Sequence, residues 1–181
     1  MIITVEELRR YISTDEEDQA LAGRLQALEL LIRGYTNNNF QVRGLHCECD
    51  ISGVTFISDT FTPFEVGDTV QVSGSAKNNG LYTVKTVTDT TFTVGEKTYD
   101  DFDVYVVKVA YPADVKMGVV NLLKWELNNR DKVGVQSESI SRHSVTYYNM
   151  DGDNSIMGYP KSLMGFLRPY MKARFGRGIG V

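Results

Sequence analysis

The segment His46-Cys47-Glu48-Cys49-Asp50-Ile51 alternates polar and apolar side chains and decides how the middle of the chain is interpreted. A period of two places every second side chain on the same face of a β-strand. Thr69-Val70-Gln71-Val72-Ser73 repeats the pattern, and the turn residues Asn78-Asn79-Gly80 follow it. Further strands are predicted at residues 54–58, 81–87, 92–94 and 104–109. Short strands with frequent turns predict a small, barrel-like all-β module at residues 44–110.

On both sides of this module the apolar residues recur at steps of three and four, which is the spacing of one helix face. Thr4 and Glu7 form a capping-box pair at the start of the first helical pattern. Pro112, a residue favoured in a first helical turn, precedes a broad apolar stripe from Val115 to Leu127. Helices are predicted near residues 5–12, 16–35, 113–129 and 160–174, with Pro169 kinking the last one.

These patterns predict an α+β protein, a discontinuous α-helical bundle with an inserted β module. Residues 1–43 and 111–181 would form the helical domain, and residues 44–110 the insertion. An insertion must leave and re-enter its host, so Arg43 and Tyr111 are expected to lie close together. The broad stripe at 115–127 suits either a central core helix or a helix that also faces a neighbouring subunit.

Bulk properties restrict the kind of protein without selecting a function. The chain has 181 residues, a net charge of −4 and an ordinary globular composition. No apolar run approaches the length that a membrane span needs, so we expect cytosolic synthesis and no membrane partner. Two cysteines are too few for a disulfide framework, and alternate positions on a strand make an awkward pair for a bridge.

Basic residues collect near the C-terminal end. Residues 161–181 contain Lys161 followed by the basic tail, and no acidic residue. The basic tail consists of Arg168, Lys172, Arg174 and Arg177. Two interpretations stay open: a solvated tail beside a helix end, where cations are favoured, or a contact with an acidic partner or nucleic-acid phosphates.

Metal ligands are scarce. His46, Cys47 and Cys49 could supply three zinc ligands, but a strand would turn Cys47 away from His46. Asp151-Gly152-Asp153-Asn154 resembles the start of a calcium loop, but it lacks the glutamate at position twelve, where Ser162 stands. We therefore predict no metal-binding residue.

Motifs for catalysis or cofactor binding are also weak. The glycine-bounded stretch Gly74–Gly80 lacks the Gly-Lys-Ser/Thr ending of a P-loop. His143 and Ser144 are adjacent in sequence, which says nothing about a nucleophile and a base in contact. The protein is predicted not to be an enzyme and to use no cofactor, with a small hydrolase built on His143 as the weakest alternative.

A nucleic-acid-binding module is the main alternative function. In it the barrel aromatics Tyr82, Phe92 and Tyr105 would stack on single-stranded bases while the basic tail holds phosphates. Such aromatics more often lie in the core of a barrel. Acidic residues also outnumber basic ones in the β module, which disfavours phosphate binding.

Five motifs, in a fixed order, carry a family resemblance. The first two are Ile3-Thr4-Val5-Glu6-Glu7-Leu8 and Tyr35-Thr36-Asn37-Asn38-Asn39-Phe40, and the third is Pro112-Ala113-Asp114-Val115-Lys116. The fourth spans residues 137–147, and Leu163 to Tyr170 closes the series. Together they resemble the head-tail connector (adaptor) proteins of long-tailed bacteriophages, over the residues outside the β module.

This resemblance implies a structural virion protein that assembles as a ring, dodecameric in the virion, beneath the portal. Such a ring extends the channel through which double-stranded DNA passes without sequence-specific binding. It also docks the next neck component, a stopper or tail-completion protein. The implied partners are copies of the chain itself, the portal protein and that component. The implied location is the head-tail neck of the virion, with the host cytoplasm during assembly.

The resemblance also implies which residues touch neighbouring subunits, since rings use head-to-tail contacts. The assembly contacts carried over from the fourth motif are Ser137, Glu138, Ser139, Ile140, Ser144, Val145 and Tyr147. The alternative is an ordinary surface loop or hairpin. The β module departs from the many family members that join these helices by a short link, and its partner is not indicated.

Overall fold

The computed structural model describes residues 1–129, 137–140, 143–146 and 154–173, and the chain divides into two compact units. The barrel unit comprises Met1 and Asn39–Tyr111. The split unit comprises Ile2–Asn38 and Pro112–Val181. The split unit is therefore built from two stretches of chain that the barrel segment separates in sequence.

Six antiparallel strands close the barrel unit into a barrel. They are β1 (Gln41–Ser52), β2 (Thr55–Ile57), β3 (Thr69–Ser73), β4 (Gly80–Val87), β5 (Thr91–Val94) and β6 (Asp101–Val109). Their order around the barrel is β1, β2, β5, β4, β3, β6. The pairing of β6 with β1 places Cys47 opposite Val106 and completes the closure. Closure removes the open edges that a flat sheet of short strands would expose.

Aromatic and small apolar side chains fill the barrel. The rings of Phe56 and Phe92 stack with centroids 4.7 Å apart, and Phe64 meets Phe92 edge-on at 5.2 Å. Cys47 and Cys49 on β1 belong to the same buried cluster. This is the expected result of the alternation in β1, because every second side chain faces the core.

The barrel segment begins and ends at neighbouring points. The backbone N–H of Ala110 donates to the carbonyl oxygen of Phe40 at 3.0 Å. The rings of Phe40 and Tyr111 lie 4.9 Å apart. The chain thus enters and leaves the barrel side by side, at Phe40 and Tyr111. The closeness predicted for Arg43 and Tyr111 stays a prediction.

Two longer helices, α2 (Asp18–Thr36) and α3 (Ala113–Asn129), pack together in the split unit. A one-turn helix, α1 (Val5–Leu8), precedes them, and its cap Thr4 accepts a hydrogen bond from the Glu7 N–H at 3.1 Å. The core face of α2 is the predicted stripe, with Leu21, Leu25, Leu28 and Ile32 buried. α2 ends where Asn37 adopts the left-handed conformation, with φ of 50°.

The remainder of the split unit is short strands and a 3-10 helix. β7 (Ser137–Ile140) pairs with β8 (His143–Thr146), and β9 (Ser155–Ile156) pairs with β10 (Tyr159–Pro160). A 3-10 helix, Lys161–Tyr170, follows and contains Pro169. After it, the Lys172 N–H donates to the Thr36 carbonyl at 2.8 Å, so this segment is tied to the end of α2.

The predicted fold class, a discontinuous helical bundle with an inserted β module, is wrong. The protein is mixed α/β and is dominated by the closed six-strand barrel, while its helices are few and mostly short. Periodicity predicted where helices and strands lie, but it could not predict that the barrel would dominate the fold. Barrel closure depends on pairings between distant residues such as Gln41 and Val109. Among the described residues, no helix combines the length and apolar character that crossing a bilayer requires.

Two predicted helices are corrected in particular. The helix predicted at 5–12 stops at Leu8, and Arg9 then bonds the carbonyl oxygens of Thr14 and Glu16, which stabilises a loop instead. The helix predicted at 160–174 is a 3-10 helix over Lys161–Tyr170. Pro169 lacks an N–H donor, so a regular α-helical ladder could not continue through it.

Candidate assembly surfaces

The β7–β8 hairpin contains the segment that was predicted to contact neighbouring subunits. Its register pairs Glu138 with Val145 and Ser139 with Ser144. Within the described residues this sheet has only two strands, so each strand keeps one edge without a strand partner. A two-stranded sheet is marginally stable alone in water, and free edges are templates for pairing with another chain.

Six of the seven predicted assembly residues lie in this hairpin. They are Ser137, Glu138, Ser139, Ile140, Ser144 and Val145. Tyr147 lies outside the described residues. The hairpin follows α3 in the chain and precedes Asn154, and all of these residues belong to the split unit.

The apolar stripe of α3 is used inside the split unit. Val115, Val119, Leu122 and Leu123 are fully buried, while Trp125 and Leu127 are partly buried. Gly118 lies directly under the ring of Phe166 from the 3-10 helix. α3 is therefore a central core helix, and its stripe leaves little apolar surface for a neighbouring subunit.

A buried polar cluster joins the two stretches of the split unit. Arg24 on α2 donates to Glu126 on α3 at 2.9 Å, and it also binds both carboxylate oxygens of Glu16. Tyr159 donates to the second oxygen of Glu126 at 2.6 Å, and its ring contacts Trp125 edge-on. The hydrogen bond and charge of Glu16, followed by those of Glu126, raise the pKa of Arg24. This cluster holds the C-terminal part of α3, the helix that precedes the hairpin in the chain.

The beginning of the basic tail is exposed next to the end of α2. Arg168 and Lys172 are exposed, and Arg174 and Arg177 lie outside the described residues. The Asn38 side-chain amide donates to the Tyr170 carbonyl at 3.1 Å, between these two basic residues. The segment that carries Arg168 and Lys172 is thus bonded to the end of α2, and both cationic side chains are exposed.

The comparison with family models found no match for this chain, and no curated protein is significantly similar to it. The resemblance to head-tail connectors therefore rests on its sequence motifs alone.

Of the three barrel aromatics proposed for nucleic-acid stacking, Phe92 is enclosed, whereas Tyr82 and Tyr105 are half-buried. Phe92 is 1% exposed and stacks on Phe56 inside the barrel. Tyr82 packs against the same core, and Tyr105 lies against the His46 ring at 5.2 Å. A base cannot stack on a ring that the core already covers, so Phe92 cannot play this part.

The alternative zinc ligands do not converge. His46 is exposed and its Nδ1 lies 2.7 Å from the Arg43 carbonyl, whereas Cys47 and Cys49 face the barrel core. Among the described residues, no group of three or more metal-binding side chains is found. The calcium-like residues 151–153 lie outside the described residues.

The contact between Cys47 and Cys49 was not predicted. Their Sγ atoms are 3.2 Å apart. Strand alternation already placed both side chains on one face, but it could not show that the two thiols turn toward each other. The Arg24–Glu126 pair was also missed, because no local pattern links residues this far apart.

Proposed function

We propose that the protein is a structural virion protein, a head-tail connector that forms a ring beneath the portal. The ring would extend the DNA channel and dock the next neck or tail component. The observation that carries this proposal is the β7–β8 hairpin, which forms from the motif that resembles the family's assembly segment. No catalytic step is part of the proposal.

The hairpin suits an assembly role for a physical reason. Each of its strands has one edge that no other strand covers, within the part of the chain that is described. Pairing such an edge with a neighbouring subunit would stabilise a sheet that is marginal alone. A head-to-tail ring repeats one such contact at every subunit boundary.

Other features of the split unit also favour an assembly role. The core of α2 and α3 is closed within the unit, and the Arg24–Glu126–Tyr159 cluster ties its two stretches together. A closed core lets the subunit fold before it assembles. The exposed Arg168 and Lys172 suit sequence-independent contact with phosphates of DNA in the channel or with an acidic partner.

Assembly of the full-length chain tests the proposal directly. Light scattering and negative-stain electron microscopy should show rings, either of the protein alone or on purified portal. A variant in which residues 137–146 are replaced by a Gly-Ser segment of equal length should lose ring assembly. The fluorescence of Trp125, the single tryptophan, shows whether the split unit of that variant still folds.

A matched control changes an exposed turn of the barrel unit instead. Asp89→Asn lies in the β4–β5 turn and should assemble like the wild type. A chain that stays monomeric and never binds portal would refute the proposal. Assembly of the hairpin replacement at wild-type level would refute the role of the hairpin.

A further inference from the structure

Cys47 and Cys49 form a contacting pair of thiols in the wall of the barrel. Both side chains are free thiols and lie on the inward face of β1, with 5% and 3% of their surface exposed. Their Sγ atoms are 3.2 Å apart, which is close enough for one S–H to hydrogen-bond to the other sulfur. Two thiols in contact can react as one unit, unlike a single buried cysteine.

A surface cavity adjoins this part of β1. Its volume is about 270 Å³, and Cys47 and Cys49 are among the residues that line it. Four carboxylates also line it, those of Glu48, Asp50, Asp59 and Asp103. Carboxylates at the mouth repel anionic reagents such as glutathione, whereas a small neutral molecule can enter.

We propose that Cys47 and Cys49 are a peroxide-sensitive dithiol, in which Cys47 reacts first and Cys49 then closes an intrastrand disulfide. The reaction balances in two steps. The Cys47 thiolate attacks one oxygen of hydrogen peroxide, which breaks the O–O bond and gives a sulfenic acid and hydroxide. The proton that the Cys47 thiol lost converts this hydroxide to water. The Cys49 thiolate then attacks the Cys47 sulfur and displaces hydroxide, which is protonated to a second water. In sum, two thiols are oxidised and one peroxide is reduced.

The electrostatics of the pair favour one order of the two steps. The contact with Cys49 lowers the pKa of Cys47, and a hydrogen bond with Ser58 acts in the same direction. The same contact, together with burial, raises the pKa of Cys49. The thiolate is the reacting form, so Cys47 is the first nucleophile. Once Cys47 is a neutral sulfenic acid, its negative charge no longer opposes ionisation of Cys49.

The second step must draw the two sulfurs together on one strand. Residues two apart on a strand have Cα atoms about 6.4–6.8 Å apart, the long limit for a disulfide. The register of β1 against β6 is regular at Cys47 and Cys49 and shifts only between Cys49 and Ile51, so the bond strains this part of the strand. Such a bond should be readily reduced again by dithiothreitol.

The experiment uses the reduced full-length chain and equimolar hydrogen peroxide at neutral pH. Intact-mass spectrometry should show the loss of two hydrogen atoms, without added oxygen. Peptide mapping should place the bond between Cys47 and Cys49. Dithiothreitol should restore the original mass and two alkylatable thiols.

Two serine variants separate the roles, and serine keeps a donor at each site. In Cys49→Ser the reaction should stop at a Cys47 sulfenic acid, which dimedone traps. In Cys47→Ser the remaining thiol should react at least about tenfold more slowly. Circular dichroism verifies that each barrel is folded, and the wild-type mass result does not depend on either variant.

Several results would overturn the proposal. One is a wild-type product that carries added oxygen or an intermolecular disulfide instead of the intrastrand bond. Another is reaction of the wild type only after unfolding by urea. Equal peroxide rates in the two folded serine variants would overturn the assigned order. None of these readouts depends on ring assembly, so they do not bear on the connector proposal.

Discussion

Arg24 and Glu126 are 102 residues apart in sequence, and their side chains meet in a 2.9 Å hydrogen bond between α2 and α3. Only 8% of the Glu126 side chain is exposed, against 36% for Arg24. Tyr159 binds the other carboxylate oxygen of Glu126. One buried carboxylate thus joins the first helical stretch, α3 and the short strand β10.

Removing the guanidinium should destabilise the split unit. Arg24→Met keeps an apolar stem but leaves the Glu126 carboxylate without its cation in a buried position. We expect a loss of about 1–3 kcal/mol in the free energy of unfolding, since partial exposure of Arg24 reduces the effect of a fully buried pair. Urea titration followed by Trp125 fluorescence measures it, because Trp125 contacts Tyr159.

The control for this prediction is Arg10→Met. Arg10 pairs with Glu6 at 3.3 Å on an exposed surface, with 70% and 87% of the side chains accessible. An exposed pair of this kind should change stability by no more than about 0.5 kcal/mol. Equal losses in the two variants would show that burial of Glu126 does not set the effect.

Gly118 and Gly23 should respond in opposite directions to alanine. A Cβ on Gly118 would lie 2.3 Å from the Phe166 ring, whereas a Cβ on Gly23 meets nothing within 4 Å. Gly23→Ala should stabilise α2 by up to about 1 kcal/mol through helix propensity. Gly118→Ala should be destabilising by about 1–3 kcal/mol, because the half-buried Phe166 ring must move away from α3. Urea titrations of both variants measure the difference.

A double variant tests the cause of the Gly118 effect. In a Phe166→Ala background the obstructing ring is gone, so Gly118→Ala should cost little or become favourable. An unchanged penalty in that background would locate the strain elsewhere on α3.

Local periodicity predicted several elements well. The helix predicted at 113–129 matches α3, Ala113–Asn129, and the strand predicted at 81–87 matches β4, Gly80–Val87. Both depend on residues close in sequence, which is what a repeat of side-chain character encodes. The 3-10 helix was missed, because apolar spacing of three and four fits an α-helix as well as a tighter one.

Long-range pairing could not be predicted in the same way. The order of strands in the barrel requires β3 to pair with β6 and β6 with β1, and no local signal states these partners. In the candidate site the sequence marked residues 137–147, but the register that pairs Glu138 with Val145 came only from the structure. The thiol contact of Cys47 with Cys49 depended on side-chain rotation, which strand alternation leaves open.

Ser75 should control the ionisation of Asp101. The Ser75 hydroxyl donates to Asp101 at 2.5 Å, and this bond, followed by the Phe102 N–H, lowers the pKa of Asp101. Ser75→Ala should therefore move this pKa upward toward 3.8, its ordinary value. Carboxyl NMR titration measures the shift. Ser73→Ala, which removes a bond to the Tyr105 carbonyl instead, should leave it unchanged.

The same bond predicts the sign of a pH effect on stability. Because folding depresses the pKa of Asp101, its contribution is present above 3.8 and is lost as the pH falls through the folded value. The stability difference between wild type and Ser75→Ala should accordingly be largest above 3.8 and shrink in more acidic solution. A difference that grows as the pH falls would contradict this assignment.

Replacing Phe92 by alanine should destabilise the barrel unit far more than replacing Phe61. Phe92 is 1% exposed and contacts two other aromatic rings, whereas Phe61 is 71% exposed. Phe92→Ala should lower the free energy of unfolding by about 3–5 kcal/mol, and Phe61→Ala should stay within about 0.5 kcal/mol. Hydrogen exchange of the β2 and β5 amides measures the local loss, since these strands carry the stacked pair. Intact protection of these amides in Phe92→Ala would contradict the assignment of Phe92 to the barrel core.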